Sequence, residues 1–400
     1  MKSKLTFILF LLAGTFLNVA TSYSQWQQQT SPTAAKLEAL YFFDANVGFT
    51  SSSVVTQMYK TTNGGQTWAA TGNYPARDIH FVDANNGYAS AGAGSPNGTM
   101  KKTTNGGTTW SQITPPTSSA YSGVFATSAS SVYFINTEHK VISSANSGTT
   151  LSSYTIPGNT SSALTDIFFT NTTTGFVSVQ GGQVFKTTDS GTTWTALTTN
   201  TSVTLNSLYF VNATLGYVAG SAGKVIKTTD GGATWVDKST GASSAINAIK
   251  FYDANNGLAV CLSGRIFRTS DGGDSWVEQA SGTTSHLWNV YYLSATSAII
   301  VGDSGTILKN TNVLSLDDFS NEDSKFAVFP NPAKDVLNLE VKNNIQISSM
   351  NIYNTLGQLI LVVPNAGQTS AIDVSGLKTG TYFVKINSDK GISNSTFIKE

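Results

Sequence analysis

An all-β fold is predicted: a seven-bladed β-propeller over residues 25–312, closed by its own N-terminal strand, then a small Ig-like β-sandwich over 326–400. Three observations predict it. A strand-and-turn unit recurs every 41–43 residues, a solitary Trp26 falls in the same column as the Trp of each unit, and the period stops at Asn312.

The first 24 residues read as a signal peptide. Met1-Lys2-Ser3-Lys4 is basic, residues 5–20 are apolar, and Thr21-Ser22-Tyr23-Ser24 offers small side chains for cleavage after Ser24. The apolar stretch falls short of the ~18–20 residues of a membrane anchor. No Cys follows the cut, so a lipid anchor is not expected. The one cysteine, Cys261, excludes an internal disulfide and sits in the apolar run 258–262, where a small buried side chain is expected.

Each repeat unit ends in Lys-Thr-Thr-Asn/Asp-Gly-Gly-x-Thr-Trp or a close variant. Full copies cover 60–68, 102–110, 186–194, 227–235 and 268–276, and a worn copy at 143–151 has Leu151 in place of Trp. The box residues Asn63, Trp68, Asn105, Trp110, Asp189, Trp194, Asp230, Trp235, Asp271 and Trp276 are assigned a structural role. The Asn or Asp side chain bonds its own backbone, the glycines take positive φ, and the Trp packs as the outer strand begins. Residues 289–309 supply three strands of a further unit without its Trp strand, which Trp26 completes. Seven first strands then run through Leu40, Ile79, Val124, Ile167, Leu208, Ile249 and Val290, and the closed ring has no free sheet edge. The second recurring turn, Asp83-Ala84-Asn85-Asn86-Gly87 and again 253–257, lacks the distal Glu of a calcium loop and reads as a hairpin.

These units resemble Asp-box, or bacterial neuraminidase, repeats. The pairing of Phe-x-Asp-Ala-Asn-Asn-Gly with the Lys-Thr-Thr box is most similar to propellers of the photosystem II stability/assembly factor type, over nearly all of 26–312. The resemblance implies the fold; the box itself is a turn and carries no chemistry in families that share it.

Residues 313–325 read as an acidic, polar linker. The alternating segments from Phe326 onward, broken by Pro and Gly, then read as the small sandwich. This module resembles the type A C-terminal sorting domain of the type IX secretion system of Bacteroidetes-like bacteria. The resemblance rests on Pro330-Asn331-Pro332, residues 353–357 ending in Gly357, Gly380-Thr381-Tyr382, and the basic end 397–400. It implies passage through the periplasm, the type IX machinery as partner, and a secreted or outer-surface destination. A photosystem role is not expected of a chain sent outside. An Ig-like adhesion module is the alternative reading.

Charge narrows the functions. With 23 basic and 23 acidic residues, the chain has no net field to draw it onto nucleic acid. A sialidase would need clustered arginines, whereas the propeller has only Arg77, Arg265 and Arg268, the last in the Lys column of the box. The three histidines His80, His139 and His286 lack metal-ligand spacing, and no cofactor or metal is expected. A generic glycosidase would have to draw two carboxyls from Glu38, Asp78, Glu138, Asp166, Glu278 and Asp303.

Topology points to the face opposite the boxes, where the chain enters each first strand. Residues at that position are Glu38, Arg77, Ser122, Thr165, Asn206, Asn247 and Trp288. The turns between second and third strands add Glu138, His139, Arg265 and Asp303. Glu38, Arg77, Glu138, His139, Arg265, Trp288 and Asp303 are therefore the candidate ligand-binding residues, with solvated loops and a packed Trp288 as the plainer alternative. The functional expectation is a non-catalytic, exported platform for a protein or glycan. A secreted glycoside hydrolase and an adhesion protein without a discrete site remain the alternatives.

Overall fold

In the computed structural model, residues 26–52, 54–91, 99–158, 163–313, 326–341, 346–354, 358–363, 371–388 and 391–400 are described. The expected signal peptide, nearly all of the linker and Gly357 lie outside them. The chain divides into two units, with the boundary near residue 314.

In the first unit, short segments rich in β-branched and aromatic residues alternate with Gly- and Asn-bearing turns, and each group of four forms one antiparallel sheet. Blade 1 runs Ala39–Phe42, Gly48–Ser52, Gln57–Thr61, Ala69–Gly72. Blades 2 to 6 repeat this order with first strands Asp78–Phe81, Tyr121–Ala126, Leu164–Phe169, Leu205–Phe210 and Ile246–Phe251. Blade 7 takes Leu287–Ser294, Ser297–Gly302 and Ile307–Asn310 from the end of the unit, and its outer strand Gln27–Gln28 from the beginning. Gln27 pairs with Lys309, and the adjacent Trp26 is buried, its indole N–H donating to Gln279 Oε1 at 3.0 Å. The ring is thus closed by residues 253 positions apart.

The second strand of each blade lies between two neighbours and two blades, so it is buried on both faces, as in Gly48–Ser52 and Gly257–Cys261. The first strands alternate instead: Ile167 and Phe169 pack between blades, while Asp166 and Phe168 are only partly covered and line the axis.

The box is a self-bonded turn. Asp189 Oδ1 accepts from the Thr193 N–H at 2.9 Å and the Thr187 hydroxyl at 2.8 Å, while Oδ2 takes the Thr193 hydroxyl at 2.6 Å. Asn63 makes the same arrangement through its amide. Gly64 and Gly65 behind it hold φ of 67° and 82°. In the second turn, Asp83 Oδ1 accepts from Asn85 and Asn86 N–H, both at 2.8 Å, which is a hairpin device. Its closing glycine serves a different need: a Cβ on Gly87 would stand 2.2 Å from the Phe81 ring, and one on Gly257 2.6 Å from Phe251. The two turns of a blade are stitched together, Gly106 N–H donating to Asn85 O and Gly272 N–H to Asn255 O.

The lysine that opens the box joins one blade to the next. Lys60 Nζ donates to Gly106 O at 2.9 Å, Lys102 to Ser147 O at 2.8 Å, Lys186 to Gly231 O at 2.7 Å, and Lys309 to Gly64 O at 2.8 Å across the closing seam. Between blades 3 and 4 Tyr133 OH reaches Ser190 O, and between 5 and 6 Tyr217 OH reaches Gly272 O.

The second unit is a β-sandwich. A sheet of Phe326–Phe329, Val336–Val341 and Ala371–Asp373 and a sheet of Ile347–Asn354, Leu359–Val363, Gly380–Ser388 and Gly391–Lys399 share one core around Leu337, Met350, Ile352, Val384 and Phe397. Asn331 clasps the last strand: its Oδ1 accepts from Ile398 N–H at 2.9 Å and its Nδ2 donates to Thr396 O at 3.3 Å. Tyr382 stacks on Phe397 and donates to Lys378 O, so the motif residues described here hold the C-terminal strand in place.

Two outcomes follow from this architecture. Removing the indole in Trp26→Ala should cost about 3–5 kcal/mol of stability, read by denaturant unfolding, because it empties a buried site at the ring closure. The second outcome concerns acid. The Thr193 and Thr234 hydroxyls, with their backbone N–H groups, hold the Asp189 and Asp230 carboxyls down at about 2. A depressed folded-state pKa contributes stability that is present above pH ~4 and lost as pH falls toward 2. Asp189→Asn with Asp230→Asn should stay folded at pH 7, as blades 1 to 3 already use Asn there, and should flatten the loss of melting temperature between pH 4 and 2.

Candidate functional site

The seven residues read from the sequence occupy turns and strand entrances of several blades. Three of them converge where blade 7 meets blade 1. Trp288 is half-buried and donates its indole N–H to Asp303 Oδ1 at 2.7 Å. The Lys36 ammonium lies 3.8 Å from the centre of the same ring and pairs with Glu38 Oε2 at 2.9 Å. His286 meets Trp288 edge-on, with its Nδ1 accepting from Ser263 N–H. Lys36 and His286 complete this cluster; neither breaks the repeat pattern visibly enough to be singled out from sequence.

The other four stand apart from it. Arg265 is committed within its own blade, a two-point ion pair with Glu278 at 2.7 Å for each contact, over the Phe267 ring. Glu138 pairs with Lys140 at 3.4 Å beside His139, which holds a φ of 64°. Arg77 is exposed, and among the described residues its guanidinium has no ion-pair partner.

A second feature lies on the axis, a cavity of about 360 Å³ lined by the first strands. Alternation arranges it in layers. Asp78, Asp166 and Asn289 form the layer nearer the strand entrances. Tyr41, His80, Phe125, Phe168, Tyr209, Lys250 and Tyr291 form the next, two residues further along. The acids stitch neighbouring blades. Asp78 accepts from Ile79 and Val124 N–H, each at 2.9 Å, and Asp166 from Ile167 and Leu208 N–H, each at 2.8 Å. Burial, reinforced by the Asp166 charge, pushes the Asp78 carboxyl up to about 7; burial raises Asp166 as well. Burial and then the Lys250 charge push His80 down to about 3, so its imidazole is neutral. Sequence reading named Asp78, His80 and Asp166 but not their meeting. The signal for Lys250 was there: it is the one charged residue in an otherwise aromatic and histidine column of the first strands.

The fold and its appended module define a class: an exported propeller carrying a C-terminal sorting domain. Residues 327–400 match the family of secretion system C-terminal sorting domains, and residues 150–239 match the family of the photosynthesis system II assembly factor YCF48. No curated protein matches the chain. Among solved structures, it is similar to YCF48 from Cyanidioschyzon merolae, at 18% identity over 71% of this chain and 98% of that one, TM-score 0.60. A structure of YCF48 bound to D1 peptide aligns at 19% identity over 73% and 96%, TM-score 0.60. The GH74 xyloglucanase from Xanthomonas campestris aligns at 14% identity over 79% and 59%, TM-score 0.61. At these identities the likeness shows the propeller fold. The sorting domain marks the protein for type IX export and for secretion or attachment at the outer surface. Among the described residues no helix is long and apolar enough to cross a membrane.

Asn331→Ala should release the C-terminal strand from its clasp. The expected outcome is a lower fraction of the protein at the cell surface or in the medium, with retention in the periplasm, measured by fractionation and immunoblotting against the unchanged chain.

Proposed function

We propose that this protein is a non-catalytic binding platform for a protein or glycan, delivered outside the cell and presenting the face on which the first strands begin. The observation that carries the reading is how the acids are held. Glu278 is paired to Arg265, Glu38 to Lys36, Glu138 to Lys140, Asp303 to the Trp288 indole, and Asp78 and Asp166 to backbone N–H groups of two blades each. A hydrolytic pair needs one carboxyl to give up a proton and another to attack or activate water. The ion-paired acids are instead neutralised by neighbouring lysines and an arginine, and Asp78 and Asp166 serve first to join neighbouring blades. The same face offers a half-buried indole, a residue type enriched at binding hot spots. The similarly folded protein bound to D1 peptide adds weight to a protein partner.

Glycoside hydrolysis is a second reading, favoured by one observation: Asp78, raised to about 7, lies with Asp166 on the same cavity. Screening the purified protein on polysaccharides separates the two, since turnover that disappears in Asp78→Asn would overturn the platform reading.

Trp288→Ala combined with Arg77→Ala should weaken capture of a partner found by glycan array or surface pull-down by tenfold or more, with the variant still folded at the assay temperature by circular dichroism. Equal capture by the double variant would remove this face from consideration.

A further inference from the structure

The axial cavity has more polar capacity than the scaffold uses. Lys250 extends into it from blade 6, its ammonium 5.3 Å from the centre of the Tyr209 ring. Among the described residues, nothing accepts a hydrogen bond from Lys250 Nζ or from the Tyr209 hydroxyl. This contrasts with Tyr41 and Tyr291 in the same layer, which donate to Phe81 O and Phe42 O. His80 Nδ1 accepts from Ala126 N–H at 3.3 Å, which leaves the ring proton on Nε2 as a further donor. The layer therefore gathers an ammonium, a phenol and an imidazole N–H among aromatic faces. One layer toward the strand entrances, about 6.5–7 Å away along a strand, Asp78 holds two N–H groups and Asp166 two N–H groups and the Ser207 hydroxyl, which leaves each carboxyl further acceptor capacity.

We propose that this channel binds an acidic sugar of the uronic acid type. Its carboxylate would meet Lys250, Tyr209 and His80, its ring would lie on the aromatic wall, and its hydroxyls would donate to Asp78 and Asp166. This deepens the binding-platform reading and rests on it, but uses the axis rather than the outer cluster around Trp288. The separation of the donor layer from the acceptor layer is about the length of one pyranose ring carrying a carboxylate at one end. At about 360 Å³ the cavity is at the small end of ligand pockets, which span about 300–1,000 Å³, and admits one or two sugar rings. A neutral sugar would offer the Lys250 ammonium no charged hydrogen-bond acceptor and leave it balanced only through its longer-range interaction with Asp78 and Asp166, at a cost in affinity. A ligand bearing only an ammonium would face Lys250 across the channel.

Electrostatics gives the assignment a pH signature. When Asp78 is protonated, the channel carries one negative charge fewer, and an incoming carboxylate meets less repulsion. As pH rises through about 7 Asp78 ionises, the channel gains a negative charge, and affinity for an anion falls. A zwitterionic or cationic ligand anchored on the acids would show the opposite trend.

The test is calorimetric titration of the full-length protein with D-galacturonate, digalacturonate and D-galactose at pH 6 and pH 8. Saturable galacturonate binding at pH 6 is expected, at least tenfold weaker for galactose, several-fold weaker at pH 8, and at least tenfold weaker in Lys250→Met. Tyr209→Phe keeps the ring and removes only the hydroxyl, so it should lose several-fold in affinity even if the lysine variant fails to fold. The proposal is overturned by no uronate binding at millimolar concentration, by equal binding of galactose, by tighter binding at pH 8, or by unchanged affinity in the folded variants. If galacturonate is not bound while a surface partner is still captured through Trp288 and Arg77, the channel assignment fails and the platform reading stands.

Discussion

Ring closure is the constraint on which the rest of this propeller depends. Each blade buries its faces only against its neighbours, so an open chain of seven would leave two blades half-exposed and one sheet an edge strand short. The seal comes from Trp26 and Gln27–Gln28 completing the last blade, and from Lys309 donating into the first blade's box. Once the circle is shut, the first strands are forced into parallel alignment about the axis. Alternate residues then share layers, and side chains more than two hundred positions apart in sequence become neighbours.

The same geometry accounts for the polar atoms of the most visible motif. The box acid spends both oxygens on its own turn, the box threonine on the acid and the following glycine N–H, and the lysine on the next blade's backbone. The principal hydrogen bonds of the motif are therefore made within the fold itself. The repeat is broken elsewhere, by Trp288 at a strand entrance and by Lys250 in a column otherwise filled by aromatic rings and a histidine, and these are the positions on which the proposed binding rests. Departures from a repeat cost the regular packing something, and the positions that depart here face the axis or the strand-entrance face, not the interior of a blade.

The sandwich at the C-terminus shows a related economy. Its resemblance to a sorting domain was carried by short motifs, and those the structure describes are structural: Asn331 clamps the final strand and Tyr382 packs upon it. A recognition element at the end of a chain must hold its shape against fraying, and side-chain bonds to the last strand oppose that fraying directly.

The sequence by itself determined the number of blades, the strand order, the closing strand and the turn-forming role of each box. All of these are local or periodic: a turn is specified by the residues within it, and a period of 41–43 residues counts itself. It also placed Glu38, Trp288 and Asp303 on one face, because strand direction assigns every loop to one side or the other. Only the tertiary structure decided that these three meet with Lys36, that the Arg265 fork is taken by Glu278, and that Asp78, Asp166, His80 and Lys250 share a cavity. The physical reason is that side-chain reach across a closed ring depends on twist, register and the bulges at the strand entrances of blades 3 to 7, as at Leu164/Asp166, and a one-residue shift would turn each of these groups to the opposite face.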